Sequence, residues 1–84
     1  MNIELYTVNY CPYCKKVLAF LNEQNVKYKN YDITENEEQM RAELGKKYNI
    51  KGQVTVPQII IDGKNIGGYT DMIKLYSSGE LKFE

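Results

Sequence analysis

The chain of 84 residues contains no histidine. Gone with it are the usual general base, the usual partner of a cysteine nucleophile and the commonest metal ligand. It has only two cysteines, and a structural zinc site needs four ligands, normally cysteine or histidine, so no metal is expected. It has no charge of one sign in excess, with 11 Lys+Arg against 11 Asp+Glu. Nothing therefore points to nucleic acid or anionic lipid as a partner; Lys15-Lys16 and Lys46-Lys47 read as solvated helix ends. It lacks a long apolar run, and its opening residues Met-Asn-Ile-Glu-Leu-Tyr carry neither a basic region nor a cleavage pattern. The expectation is a cytoplasmic location with no membrane span. Proline is scarce, charge is scattered and apolar content is ordinary, which argues against disorder. A chain of this length is expected to form one domain, residues 1–84, with a thin stability margin.

What is present falls into short periodic segments. Ile3–Val8 alternates as a strand, and a central one. Pro12 stands where helices favour proline, at the first position, whose missing N–H costs nothing. Cys14, Val17, Leu18 and Leu21 then recur on one helical stripe, and Asn25 ends the helix. Val26–Ile33 reads as a second strand whose lysines suit a sheet edge. Strand, helix and strand within about 30 residues form a βαβ unit, predicting parallel strands and a right-handed crossover. Thr34-Glu35-Asn36-Glu37 has the form of a capping box, with Met40, Leu44 and Tyr48 on the helical stripe behind it. Acidic residues open that helix and Lys46-Lys47 close it, in keeping with the macrodipole. Gln58–Ile61, the turn Asp62-Gly63 and Lys64–Ile66 predict a β-hairpin. Gly67-Gly68 breaks it. A last helix starts at Tyr69-Thr70-Asp71, buries Met72, Ile73, Leu75 and Tyr76, and stops at Ser77-Ser78-Gly79. The order β-α-β-α-β-β-α predicts an α/β fold, a mixed four-stranded sheet with helices on both faces.

The chemistry centres on Cys11-Pro12-Tyr13-Cys14, at the junction of the first strand and first helix. As a staple the pair would close too short a loop to restrain the unfolded chain much. With zinc set aside, redox use of a dithiol is the leading reading. The physical reason is acidity. A thiolate attacks disulfides, and the free N–H groups and dipole of a helix start stabilise an anionic sulfur. Cys11 at the tip is therefore expected to be the exposed, attacking thiolate. Cys14, one turn inward, is the sheltered and less acidic resolving thiol.

Cys11-Pro12-Tyr13-Cys14, then Thr55-Val56-Pro57, then Gly67-Gly68-Tyr69-Thr70-Asp71, in this order and over essentially the whole chain, resemble a dithiol glutaredoxin of the thioredoxin fold. The resemblance implies a glutathione-dependent thiol-disulfide oxidoreductase with a cis bond before Pro57. Thr55, Val56 and Pro57 would meet glutathione, the Val56 backbone pairing strand-like with its cysteinyl unit. Gly68, Tyr69, Thr70 and Asp71 would receive the γ-glutamyl end, and Tyr13 would wall the site. Main-chain N–H groups at a helix start suit a carboxylate, and glycine permits close approach. Read without the other motifs, Gly67-Gly68 is a plain strand-to-helix turn and Asp71 an N-terminal helix charge.

One position departs from the pattern. Many members of that family carry lysine three residues before the first cysteine, where this chain has Val8. Lys15, Lys51 or Gln53 would then serve the glycyl carboxylate, or glutathione binds more loosely. An exposed ion pair contributes only about 0–1 kcal/mol, so attenuation is expected. The resemblance further implies glutathione and glutathionylated or disulfide-containing proteins as partners, a monomeric chain, and roles in electron transport and cell redox homeostasis. Two alternatives keep the same dithiol: a redoxin reduced by a flavoprotein reductase, and a dimer holding a [2Fe–2S] cluster through Cys11 and glutathione, which Pro12 disfavours by stiffening the loop.

Overall fold

The computed structural model describes residues 1–83. Its elements are β1 (Ile3–Thr7), α1 (Pro12–Glu23), β2 (Lys29–Asp32), α2 (Glu37–Lys47), β3 (Gln58–Ile61), β4 (Lys64–Gly67) and α3 (Tyr69–Ser77), with one 3₁₀ turn at Thr34–Asn36 before α2. The four strands form one sheet in the order β2-β1-β3-β4. β1 runs parallel to β2, from Glu4 opposite Lys29 to Thr7 opposite Asp32, and antiparallel to β3, which pairs antiparallel with β4. The expected βαβ unit and hairpin are both present, with β1 inside the sheet and the lysine-bearing β2 at its edge. No helix of the described residues is long and apolar enough to cross a membrane.

The covering of β3 explains the layering. All four of its residues are buried, which a strand achieves only when both sheet faces are covered. Ile59 and Ile61 join Ile3 and Leu5 against Val17 and Leu21 of α1 and Met72 of α3, forming the main core. A second cluster gathers Val8, Cys11, Cys14 and Ile33, with Tyr6, Tyr31, Val56 and Met40 of α2 packed against it. The dithiol thus belongs to the core and does not hang from the surface.

Three local expectations are corrected. Val26–Tyr28 is not strand, because Asn25 turns left-handed at φ 58° and Val26 N–H bonds back to Leu21 C=O. Only Lys29–Asp32 reaches the ladder. The capping box at Thr34 does not form. Asp32 Oδ1 instead accepts from both the backbone N–H and the hydroxyl of Thr34, and the Thr34 oxygen accepts from Asn9 N–H. Tyr76 is 38% exposed, since its ring lies along Phe20 and Phe83 at the rim of the core. The hairpin turn forms as read, with Asp62 and Gly63 at φ 50° and 80°, the left-handed pair that a tight two-residue turn requires.

Candidate active site

Cys11 is the N-cap of α1. Its backbone is extended (φ −94°, ψ 114°), Pro12 follows at the first helical position, and its sulfur accepts the Cys14 N–H at 3.1 Å. One otherwise unpaired donor of the first turn is thereby aimed at that sulfur. On its other side the Cys11 thiol donates to the Val56 carbonyl oxygen at 3.7 Å. Both cysteines are free thiols. The expectation that Cys11 is exposed is corrected, because only 7% of it remains accessible. Folding back to cap the helix and resting against Val56 takes the sulfur out of bulk water. Cys14 is more enclosed still, at 1%. Burial pushes its thiol up to about 12, helped by the hydrogen bond and charge of Cys11; the Val8 backbone and, less strongly, Arg41 pull the other way and are outweighed.

Beside this pair lies an open groove of about 330 Å³ lined by Tyr13, Thr55, Val56, Pro57, Gly68, Tyr69, Thr70 and Asp71. These segments are distant in sequence, and the sheet brings them together. The peptide bond between Val56 and Pro57 is cis. Pro57 leads straight into β3, and Gly67 ends β4 alongside, because Ile59 pairs with Gly67. At the far wall Asp71 Oδ2 accepts the Gly68 N–H at 2.9 Å, which fixes the start of α3. The N–H groups of Tyr69, Thr70 and Asp71 open that helix and have no intrahelical acceptor. At the near wall Tyr13 is 53% exposed and its ring centroid lies 6.1 Å from that of Tyr69.

The cations are not where the sequence reading looked. Val8 is buried and contributes no charge. Lys15, Lys51 and Gln53 are all exposed, and none lines the groove. Gln53 instead borders a neighbouring depression of about 510 Å³ with Glu37, Glu38, Arg41, Ala42, Gly52 and Val54. Two residues were missed. The Lys16 ammonium sits 5.0 Å from the Tyr13 ring centroid and 5.9 Å from that of Tyr69, within the range of a cation–π contact. Arg41 donates to the Val54 carbonyl at 3.0 Å and pairs with Glu37, which also accepts the Tyr10 hydroxyl. Arg41 is the only arginine in the chain, a signal that was available.

A glutaredoxin family model matches residues 3–66. Glutaredoxin 3 of Escherichia coli K12 is 39% identical over 80 residues, covering 95% of this chain and 92% of that protein. Glutaredoxin 1 of Rickettsia bellii is 38% identical over 79 residues, covering 94% and 81%. Among solved structures, glutaredoxin 1 of Francisella tularensis superposes with a TM-score of 0.82 at 26% identity, over 96% of this chain and 98% of that one. A buckwheat glutaredoxin–glutathione complex does so with 0.81 at 26% identity, over 94% and 71%. The dithiol at the head of α1, the mixed sheet and these matches agree: the chain belongs to the glutaredoxin family of thiol-disulfide oxidoreductases, with its thioredoxin-like fold.

Proposed function

We propose that the chain reduces protein–glutathione mixed disulfides with Cys11 alone and protein disulfides with Cys11 and Cys14 together, drawing electrons from glutathione. The observation that carries this reading is the groove. Its eight lining residues are those that the sequence motifs nominated for glutathione, and it adjoins the sulfur through Val56. A volume of about 330 Å³ falls within the usual range for small-ligand sites, roughly 300–1,000 Å³. The buckwheat relative, crystallised with glutathione, supports the choice of ligand.

In this mechanism the Cys11 thiolate attacks the glutathione sulfur of the mixed disulfide. The protein thiolate leaves and takes a proton, and Cys11 is left disulfide-bonded to glutathione. A second glutathione thiolate attacks that glutathione sulfur, giving oxidised glutathione and restoring the Cys11 thiolate. With a protein disulfide, Cys11 forms a mixed disulfide with one protein sulfur. Cys14 loses its proton, attacks Cys11 and releases the substrate, and two glutathiones reduce the resulting Cys11–Cys14 bond. The cysteinyl backbone would pair with Val56, the γ-glutamyl carboxylate with the first-turn N–H groups of α3, and its ammonium with Asp71. The glycyl end would run toward Gln53 and Arg41 in preference to Lys15 or Lys51, since that depression adjoins the groove along residues 53–56. We assign the chain a monomeric, cytoplasmic role in electron transport and redox homeostasis, with glutathionylated proteins as substrates.

The test is turnover of a peptide–glutathione mixed disulfide with glutathione and glutathione reductase. Cys11→Ser abolishes all turnover. Cys14→Ser retains deglutathionylation and loses reduction of protein disulfides. Equal loss from the two substitutions refutes this division of roles, and turnover only when a flavoprotein reductase acts directly on the chain, with no contribution from glutathione, refutes the choice of donor.

A further inference from the structure

Among the described residues Gln58 is one of two buried polar ones, only 5% exposed, at the head of a strand otherwise made of isoleucines. A buried amide is costly unless its donor and acceptor are both used, and here both are. Gln58 Nε2 donates to the Thr55 carbonyl at 2.7 Å, and Gln58 Oε1 accepts from Asn65 Nδ2 at 2.9 Å. Asn65 Oδ1 in turn accepts the Gly67 N–H at 2.8 Å. The three bonds run in one direction from Gly67 through two side chains to Thr55. They join the two walls of the groove from beneath, since Thr55 precedes Val56 and Gly67 precedes Gly68. A bulge makes this reach possible. The register slips between Ile59 and Ile60, so that Ile60 faces Asn65 while Ile59 faces Gly67. Neither amide side chain is among the groove's lining residues.

Building on the glutathione reading of the groove, we infer that Gln58 and Asn65 are positioning residues that set the spacing between the Val56 wall and the Gly68–Asp71 wall. They thereby make the site selective for thiols that carry a γ-glutamyl group. A ligand that spans both walls depends on that spacing. One that touches only the Val56 wall does not.

The experiment compares kcat/KM for one peptide disulfide-bonded either to glutathione or to cysteinylglycine, which lacks the γ-glutamyl group. The native chain favours the glutathione adduct. Asn65→Ala removes two bonds of the chain and lowers that preference by about three- to tenfold for each neutral hydrogen bond lost. The change appears in KM for the glutathione adduct, while the cysteinylglycine adduct and the pH profile of Cys11 alkylation keep their native values. Asn65→Ser leaves a hydroxyl that can accept the Gly67 N–H and loses the bond to Gln58, so it gives a smaller loss and carries the test if Asn65→Ala does not fold. Native preference in the folded variants overturns the positioning role alone. A native chain indifferent to the γ-glutamyl group overturns the glutathione reading beneath it.

Discussion

Cys11 and Cys14 share one turn of α1, yet their sulfurs meet different surroundings. Both lie in the second apolar cluster, but the Cys11 sulfur receives an N–H from the helix start, whereas the Cys14 thiol is pushed up to about 12, first of all by burial. The consequence for stability has a definite sign. Unfolding returns Cys14 to its ordinary value of 9.0. Between these two values the unfolded chain has lost a proton that the folded chain keeps, so stability falls as pH rises from about 9 toward about 12. The measurement is a difference, so that alkaline effects common to both chains cancel. Urea denaturation of the reduced protein is expected to show a steeper alkaline loss for the native chain than for Cys14→Ser, and parallel curves would contradict it. At this scale the sequence told much. The motif spacing and the proline at the first helical position were enough to place Cys14 on the sheltered inner face of α1. The degree to which Cys11 is covered was hidden, because Val56 comes to it from 45 residues away along the chain.

Among the elements, the junction of β4 and α3 shows why two adjacent glycines are not equivalent. Gly67 has φ 100°, and a Cβ there would lie 2.3 Å from Asp71 Oδ2. Gly68 is extended (φ −103°, ψ −163°), and a Cβ there would meet only the Pro57 carbonyl at 3.4 Å. Gly67→Ala is therefore expected to destabilise the fold by about 1–3 kcal/mol, read from denaturant midpoints. Gly68→Ala leaves the midpoint close to native and raises KM for glutathione, because its methyl enters the groove. If the two variants behave alike, the distinction is wrong. The sequence reading took Gly67-Gly68 as a unit, since only the fold reveals which of the two faces the Asp71 carboxylate. The hairpin was readable because Asp-Gly carries its own backbone preference. The start of α2 was not, because Asp32 and Asn9 both compete for Thr34. The link between Gln58 and Asn65 is hidden in the sequence for a similar reason. Seven residues apart, they meet only through a register slip that no alternation pattern announces.

For the molecule as a whole, the small core makes the final segment matter. Beyond α3, Leu81 is buried with the main cluster and its N–H bonds to the Leu75 carbonyl at 3.0 Å. The Phe83 ring stacks on Tyr76, centroids 5.8 Å apart. The sequence reading stopped at Gly79, because five residues of tail have no periodicity to detect. Leu81→Ala is expected to cost about 2–3 kcal/mol, toward the low end for a buried leucine, a large share of the roughly 5–15 kcal/mol typical of whole domains. A melting midpoint unchanged from native would remove Leu81 from the core. Leu81 is not among the residues that line the groove, so residual turnover per folded molecule is expected to stay near native. The overall architecture was legible because strand and helix periods alternate cleanly along the chain, whereas the cations around the site were not, since Lys16 and Arg41 acquire their neighbours only after folding.

The sulfur that closes the first turn of α1 is also the one to which we assign the reaction. Once Cys11 joins a disulfide its sulfur carries a second substituent and is a poorer acceptor, so the bond from the Cys14 amide weakens. That amide becomes an internal gauge of oxidation state. In deuterated water the Cys14 N–H should exchange faster in the glutathione-adducted protein than in the reduced one, while the amide protons of β3 keep the same protection in both.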